Sequence, residues 1–306
     1  MAHDTVLVTG GTGNIGKAFV AALAADVRAP YVRVASRDPN SKGAALVRAL
    51  APEKITPVAF DVDSPESMRA ALDGVTKLFV IAPFVPDMVA WHEKVAAAAG
   101  AAKSLAYVVK SSVTGARSPA SDPPPGGVPL GHWRGEEALR AVRPTTSIRP
   151  NIYMQHFLTT PGLYTPRADR FQLPTGSARV SWLDARDIGA AAAALVIASP
   201  SERAAYEGQS FELSGPRAHT AAELAAVLSL VARKTVTHVD GVEAFSARCR
   251  ELGVSDMAKH FYGEAAGGWF ARVDDELFKK LTGRHTTSFA AFAIDHAAHF
   301  GEGGGD

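Results

Sequence analysis

The sequence predicts an α/β protein: a doubly wound parallel sheet with a smaller, mainly helical C-terminal lobe. Three observations carry this prediction. Short β-branched runs alternate with alanine-rich helical stretches through the first half of the chain, the runs are almost wholly apolar, and a glycine cluster separates the first run from the first helical stretch. Parallel neighbours need crossovers, which helices supply, and strands covered on both faces lose the polar–apolar alternation of a half-exposed sheet.

Thr5 to Thr9 (TVLVT) is the first strand and Ile15 to Ala25 the first helix. The alternation continues as strand Tyr31–Ala35, helix Lys42–Leu50, strand Ile55–Phe60, helix Pro65–Leu72, strand Lys77–Ile81, helix Val85–Ala99 and strand Leu105–Val109. Ser118 to Pro129 (SPASDPPPGGVP) is rich in proline and glycine and reads as a surface loop able to act as a lid. Helical periodicity resumes over Trp133–Val142, a sixth strand follows at Thr145–Arg149, and Pro150 stops it. Asn151 to Val180 is aromatic and irregular. Asp187–Ala198 is an alanine-rich helix that returns to the sheet, and Gln209–Leu213 is the final strand. From about Pro216 the pattern is mostly helical, without an internal repeat. The expected division is residues 1–150, joined by 181–215, as a nucleotide-binding domain, with 151–180 and 216–306 as a substrate lobe.

Thirty-two basic residues against 31 acidic ones leave a formal charge of +1, so no overall field draws the chain to nucleic acid or anionic lipid, and the expected partner is a small molecule. The single cysteine, Cys249, can form neither an intrachain disulfide nor a cysteine-based metal site, which suits a reducing, cytoplasmic compartment. The opening MAHDTVLVTGG lacks the features of a signal peptide. The longest mainly apolar run, Gly189 to Ala198, falls well short of the roughly 20 residues that cross a bilayer. There is no HExxH, and His296 with His299 lacks an evident third ligand, so no metal is expected. A homodimer is compatible with the sequence but not specified by it.

The sharpest motif is VLVTGGTGNIG, in which Gly10, Gly13 and Gly16 lie directly between a strand and a helix. In a Rossmann domain the first glycine makes the tight turn, the second lets backbone approach a pyrophosphate, and the third allows close helix packing, while the helix N-terminus faces the anion. Thr12, Asn14 and Ile15 belong to the same loop. At the end of the second strand stand Ser36 and Arg37. An acidic residue there would bind a ribose 2′-hydroxyl, whereas an arginine accommodates the 2′-phosphate of NADP, so Arg37 favours NADPH, with the neighbouring Asp38 as counter-argument and a solvated surface charge as the alternative. Asp61, followed by Val62, is placed either for the adenine amino group or as a helix cap before SPES. Asp61 and Asp63 only superficially suggest a calcium loop, since Glu66 occupies the required glycine position. Ala82, Pro83 and Phe84 after the fourth strand, Lys110 and Ser111 at the end of the fifth, and Pro150 and Asn151 after the sixth complete the expected cofactor-binding set, although Lys110 reads equally as a surface charge.

TGGTGNIG, the strand-end arginine, KLFVIAP, YVVKSSVTGA, HWRGEEALRAVRPTTSIRPNIYMQHFL, SWLDARDIGAAAAALV and FELSGPRAHTAAELAAVLS together resemble the NmrA-like branch of atypical short-chain dehydrogenases/reductases. The likeness spans nearly the whole chain, and within the branch it is to bacterial quinone and triphenylmethane-dye reductases. The resemblance implies NADPH dependence. Other members of the branch bind the nucleotide without catalysis and act as redox sensors or regulators.

One departure matters for chemistry: none of the six tyrosines (31, 107, 153, 164, 206, 262) is followed four residues later by lysine. The Tyr-Lys dyad that protonates substrate oxygen in ordinary short-chain dehydrogenases is absent, which removes support for a sugar-nucleotide epimerase. A quinone or cationic dye needs little more than a positioned hydride. The catalytic candidates are therefore His132, at the start of the HWRGE helix, near where related reductases place a lysine; Ser111, beside the expected nicotinamide; and Tyr153. Phe84, Phe157 and Trp182 are candidates for an apolar floor. The resulting expectation is an NADPH-dependent reductase of a small planar electron-poor or carbonyl-type substrate, the alternative being a non-catalytic NADP(H)-binding sensor.

Overall fold

The computed structural model describes residues 4–85, 87–122, 124–125, 127–159, 169–251, 265 and 267–301. The C-terminal FGEGGGD lies largely outside the described residues, as do Met1–His3 and parts of the proline-rich loop and of the irregular 151–180 stretch.

Seven parallel strands form the sheet: β1 (Thr5–Val8), β2 (Tyr31–Ser36), β3 (Ile55–Ala59), β4 (Lys77–Ile81), β5 (Tyr107–Ser111), β6 (Thr145–Pro150) and β8 (Ser210–Leu213), in the order β3-β2-β1-β4-β5-β6-β8. The strand order reverses direction at β1, so a crevice opens between the C-terminal ends of β1 and β4, where open α/β sheets bind ligands. Adjacent strand residues divide between the two faces of the sheet's core. Val6, Val8, Tyr107 and Val109 face α1 (Asn14–Ala24) and α7 (Ala185–Ile197), whereas Leu7, Leu78, Val80 and Val108 face α3 (Pro65–Leu72), α4 (Met88–Ala101) and α5 (Gly127–Arg140). Helices on both faces explain why the strands read as continuous apolar runs. A β-carbon on Gly189 of α7 would stand 2.5 Å from the Phe19 amide nitrogen, so glycine lets α7 lie directly against α1.

Among the boundaries that differ from the sequence expectation, three bear on the site. The helix expected from Val85 begins at Met88, because Asp87 caps it by accepting the Ala90 amide. β5 is displaced to 107–111 by its pairing with β4, Lys77 opposite Tyr107 through Ile81 opposite Ser111, which puts Lys110 and Ser111 inside the sheet rather than beyond it. The helix expected from Trp133 already starts at Gly127, so His132 lies in its second turn rather than at its start. Pro129 is tolerated in the first turn, where backbone amides have no intrahelical acceptor.

A second core unites Phe157, Phe171, Trp182, Leu224, Leu228, Phe245, Phe270, Phe289 and Phe292. Beside its helices it carries a two-stranded parallel sheet, β7 (Arg170–Gln172) with β9 (Thr237–Val239), whose three-residue strands are too short to display a period in the sequence. Leu277 and Phe278, in the helix Glu276–Thr282, pack into the first core with α7. Among the described residues no helix is long and apolar enough to cross a membrane.

Candidate nucleotide and substrate site

A groove of about 1100 Å³ lies at the crevice between β1 and β4, lined by the β1–α1 loop, the ends of β2 and β3, the segment after β4, and Tyr153. Of the expected cofactor-binding residues, Gly10, Thr12, Gly13, Asn14, Ile15, Gly16, Ser36, Arg37, Asp61, Val62, Ala82, Pro83 and Phe84 all line it.

The three glycines have separable reasons. Gly10 adopts φ +64°, a left-handed conformation that a side chain would strain. A β-carbon on Gly16 would fall 2.2 Å from the Gly10 carbonyl oxygen and 2.5 Å from the Gly11 Cα, so Gly16 is required for packing. A β-carbon on Gly13 would meet only the Gly10 oxygen, at 3.4 Å. Gly13 is also the N-cap of α1, with no side chain accepting from the helix and no acid in the first turn. The amides of Asn14, Ile15 and Gly16 precede the first intrahelical acceptor, since Lys17 is the first to bond back, to the Gly13 carbonyl. An uncapped, positively polarised helix end therefore opens on the groove beside a residue that leaves room for an anion. Thr9 fixes the loop's approach: its hydroxyl donates to the Ile81 carbonyl at 2.9 Å and accepts the Ile81 amide at 2.7 Å.

Arg37 is exposed at the groove's edge, and Asp38 turns its carboxylate into its own turn, accepting the Asn40 amide at 2.9 Å. Asp61 likewise accepts the Asp63 amide at 3.0 Å, while the cap of α3 is Ser64, so Asp61 is not the helix cap. The sequence reading missed Ser41, Val85 and Trp91, which also line the groove; Ser41 was detectable only as the cap of α2 (Lys42–Arg48).

Five of the remaining candidates, Lys110, Ser111, His132, Pro150 and Asn151, do not line this groove. Lys110 is fully buried rather than a surface charge: Nζ lies 3.2 Å from the Ser111 carbonyl and 3.1 Å from His132 Nδ1. Burial drives its pKa down to about 7 against the opposing pull of Glu136. His132 is half-buried and faces the ring of His92, centroids 5.8 Å apart. His92, on α4, is buried and bonds through Nδ1 to the Met88 carbonyl at 2.8 Å; desolvation and the nearby Lys110 lower its pKa to about 3. Glu136, one turn beyond His132, is wholly buried and receives both Nε and Nη2 of Arg149 at 2.9 and 2.7 Å, with Ser112, Ser210 and Arg140 completing its shell. Burial alone would raise its pKa, but those hydrogen bonds hold it near 2. This ties α5 to β5, β6 and β8, and nothing in the spacing of these residues announced it.

Ser111 is buried in β5 and Pro150 in β6. Asn151 spends its amide on Ser181 Oγ and the Phe270 carbonyl at 2.7 and 3.0 Å, joining the sheet to the second core. None of these three, nor Lys110 or His132, is among the residues that line the groove. Tyr153 lines it, its ring stacked 4.3 Å from the half-buried His156, and burial raises the pKa of its hydroxyl. Phe84 is 56% exposed in the groove, whereas Phe157 and Trp182 pack against each other inside the second core and form no floor to it.

Residues 2–247 match the NmrA-like family. The chain is 32% identical to a protein named NAD(P)H azoreductase from Xenophilus azovorans, covering 97% of this chain and 99% of the relative. It is 29% identical to Quinone oxidoreductase 2 of Escherichia coli (strain K12), covering 93% and 96%. Among solved structures, the NADPH complex of the quinone oxidoreductase QOR2 from Escherichia coli is similar at TM-score 0.76 and 27% identity, covering 95% of this chain and 99% of that one.

Proposed function

This chain belongs to the NmrA-like family, and from that premise we propose that it is an NADPH-dependent reductase of a small planar, electron-poor or carbonyl-type molecule such as a quinone or dye. The observation that carries the proposal is the uncapped α1 N-terminus, opening on a groove beside a Gly13 whose β-carbon position is vacant. Those residues fit a dinucleotide: the free amides of Asn14, Ile15 and Gly16 would bind the pyrophosphate, Arg37 and Ser36 the 2′-phosphate, and Asp61 the adenine amino group. The groove's continuation past Ala82, Pro83 and Phe84 to Tyr153 would hold the nicotinamide and the substrate's flat face.

Bound NADPH would supply the hydride. The chain's part is to position and to exclude water. Phe84 and Tyr153 would flank the reacting plane, while Ser111 and His132, which do not line the groove, would support its wall rather than touch substrate. Two relatives bear names for azo and quinone reduction, which favours the reductase over the sensor. The single, buried cysteine suits a cytoplasmic setting.

The test is steady-state oxidation of NADPH and NADH with a panel of quinones, azo compounds, cationic dyes, imines and enones. Turnover of at least one class, faster with NADPH, is expected. NADPH binding without turnover of any member would leave the sensor reading in its place.

A further inference from the structure

Past β4 the groove wall is apolar until it reaches Tyr153. Ile81, Ala82, Pro83, Phe84 and Val85 bring no side-chain polar atom to it, whereas Tyr153, from the segment after β6, brings a hydroxyl. The backbone there is held by a parallel bridge between Tyr153 and Leu183, with the Met154 amide on the Leu183 carbonyl at 2.7 Å and the Leu183 amide on the Ile152 carbonyl at 2.9 Å. The ring lies 20° from the plane of His156 and packs against the sheet's core. Backbone and ring are both fixed, so the hydroxyl has a set position. It has no hydrogen-bond partner among the described residues, yet it is not an orphaned buried atom, since it keeps access to the outside. A rigid, unbonded donor on a groove wall is free to bond to an occupant of the groove.

We propose that Tyr153 is a catalytic residue whose hydroxyl donates a hydrogen bond to the substrate oxygen or nitrogen on which negative charge collects as hydride arrives. The proposal rests on the reductase reading and narrows its substrate class: conjugated acceptors with such an atom, quinones and azo compounds, are favoured over cationic dyes whose carbon takes the hydride and leaves no anion. A quinone that receives the hydride with its electron pair, as NADPH becomes NADP⁺, is left as a hydroquinone monoanion. Water supplies the proton that completes the hydroquinone, and Tyr153 keeps its own. A donor placed where charge develops is worth more in the transition state than in the ground state, which is the condition for raising kcat. The role differs from that of the tyrosine in the Tyr-Lys dyad, whose pKa a lysine lowers. Here burial raises the pKa of the hydroxyl, with no cationic side chain among the described residues acting on it to lower it, so the phenol remains a neutral donor.

The test is Tyr153→Phe, which removes the hydroxyl and keeps the ring that stacks on His156. With menadione as oxidant, the variant should lose roughly ten- to a hundredfold in kcat with little change in KM, the worth of one hydrogen bond to a charged acceptor. With crystal violet, a cationic dye, the loss should be several-fold smaller. An equal loss on both compounds, or none on menadione, would overturn the proposal. A second arm needs no turnover: lawsone, a hydroxynaphthoquinone that is an anion at neutral pH, is titrated calorimetrically into the protein saturated with NADP⁺. The parent should bind it roughly ten- to a hundredfold more tightly than Tyr153→Phe. Equal affinities, or no binding to either protein, would overturn the proposal. Tighter binding by a parent protein that reduces no substrate would count against the proposed function and leave the Tyr153 contact standing.

Discussion

Gly13→Val separates binding from folding. The position has φ −81° and ψ −179°, extended backbone that a β-branched residue adopts readily, and a β-carbon there meets nothing closer than the Gly10 oxygen at 3.4 Å. The cost to stability should be about 1 kcal/mol, the scale of a changed helix cap. In the groove, however, the valine methyls would occupy the space a pyrophosphate needs and hold it away from the Asn14, Ile15 and Gly16 amides. A hydrogen bond to a charged group contributes about 1.5–3 kcal/mol, so losing two costs about 3–6 kcal/mol, or roughly a hundred- to ten-thousandfold in Kd. Gly16→Ala is the contrast. Its methyl would be forced to 2.2 Å from backbone oxygen, and overpacking against atoms that cannot yield should cost about 3 kcal/mol of stability. Calorimetric titration with NADPH beside thermal melting distinguishes them: Gly13→Val should melt close to the parent and bind no measurable NADPH, while Gly16→Ala should melt well below it. Near-parental NADPH affinity in Gly13→Val would refute the placement of the pyrophosphate at this helix end.

Three further outcomes follow from the same geometry. Arg37→Ala should reduce the preference for NADPH over NADH by roughly ten- to a hundredfold, the worth of one charge-assisted phosphate contact, measured as the ratio of the two Kd values. Glu136, held near 2 against 4.5 for a free glutamate, has its folded value depressed, so its contribution of about 3 kcal/mol is present above about pH 4.5 and is lost as pH falls toward 2. Denaturant titrations between pH 7 and 3 should show that loss in the parent and little of it in Glu136→Gln, which should already be less stable at pH 7. Lys110 also has a depressed folded value, but as a base: the unfolded chain binds the extra proton between about 7 and 10.5, so stability should rise with pH across that window, and Lys110→Met should raise Tm at pH 7.

The groove at the α1 N-terminus was legible because its physics is local. A strand, a glycine-bearing turn and a helix start are consecutive in sequence, and every residue named there lines the groove. The parallel character of the sheet was legible for the same reason, as alternation along the chain, whereas the strand order comes from the pairing itself. Lys110 and His132 were each visible as candidates, but their contact spans 22 positions and depends on a strand register set by β4 and a helix start set two turns earlier than expected. The Glu136 shell joins residues from two strands, the segment after β5 and one helix, and Phe157 and Trp182 could be sorted from a substrate pocket into the second core only once their neighbours were known. Isolated aromatics and charges carry no period, so tertiary packing alone decides their role.

The most direct test of the central claim is a single-turnover, stopped-flow experiment in which NADPH bound stoichiometrically to the enzyme is mixed with an excess of each quinone, azo or cationic-dye substrate. The account predicts that for at least one of them the nicotinamide absorbance disappears in step with reduction of the substrate, one equivalent for one, and that the same mixture with Gly13→Val shows no such phase. Bound NADPH that persists in the presence of every member of the panel, in a protein that holds it tightly, would contradict the claim that this groove delivers a hydride.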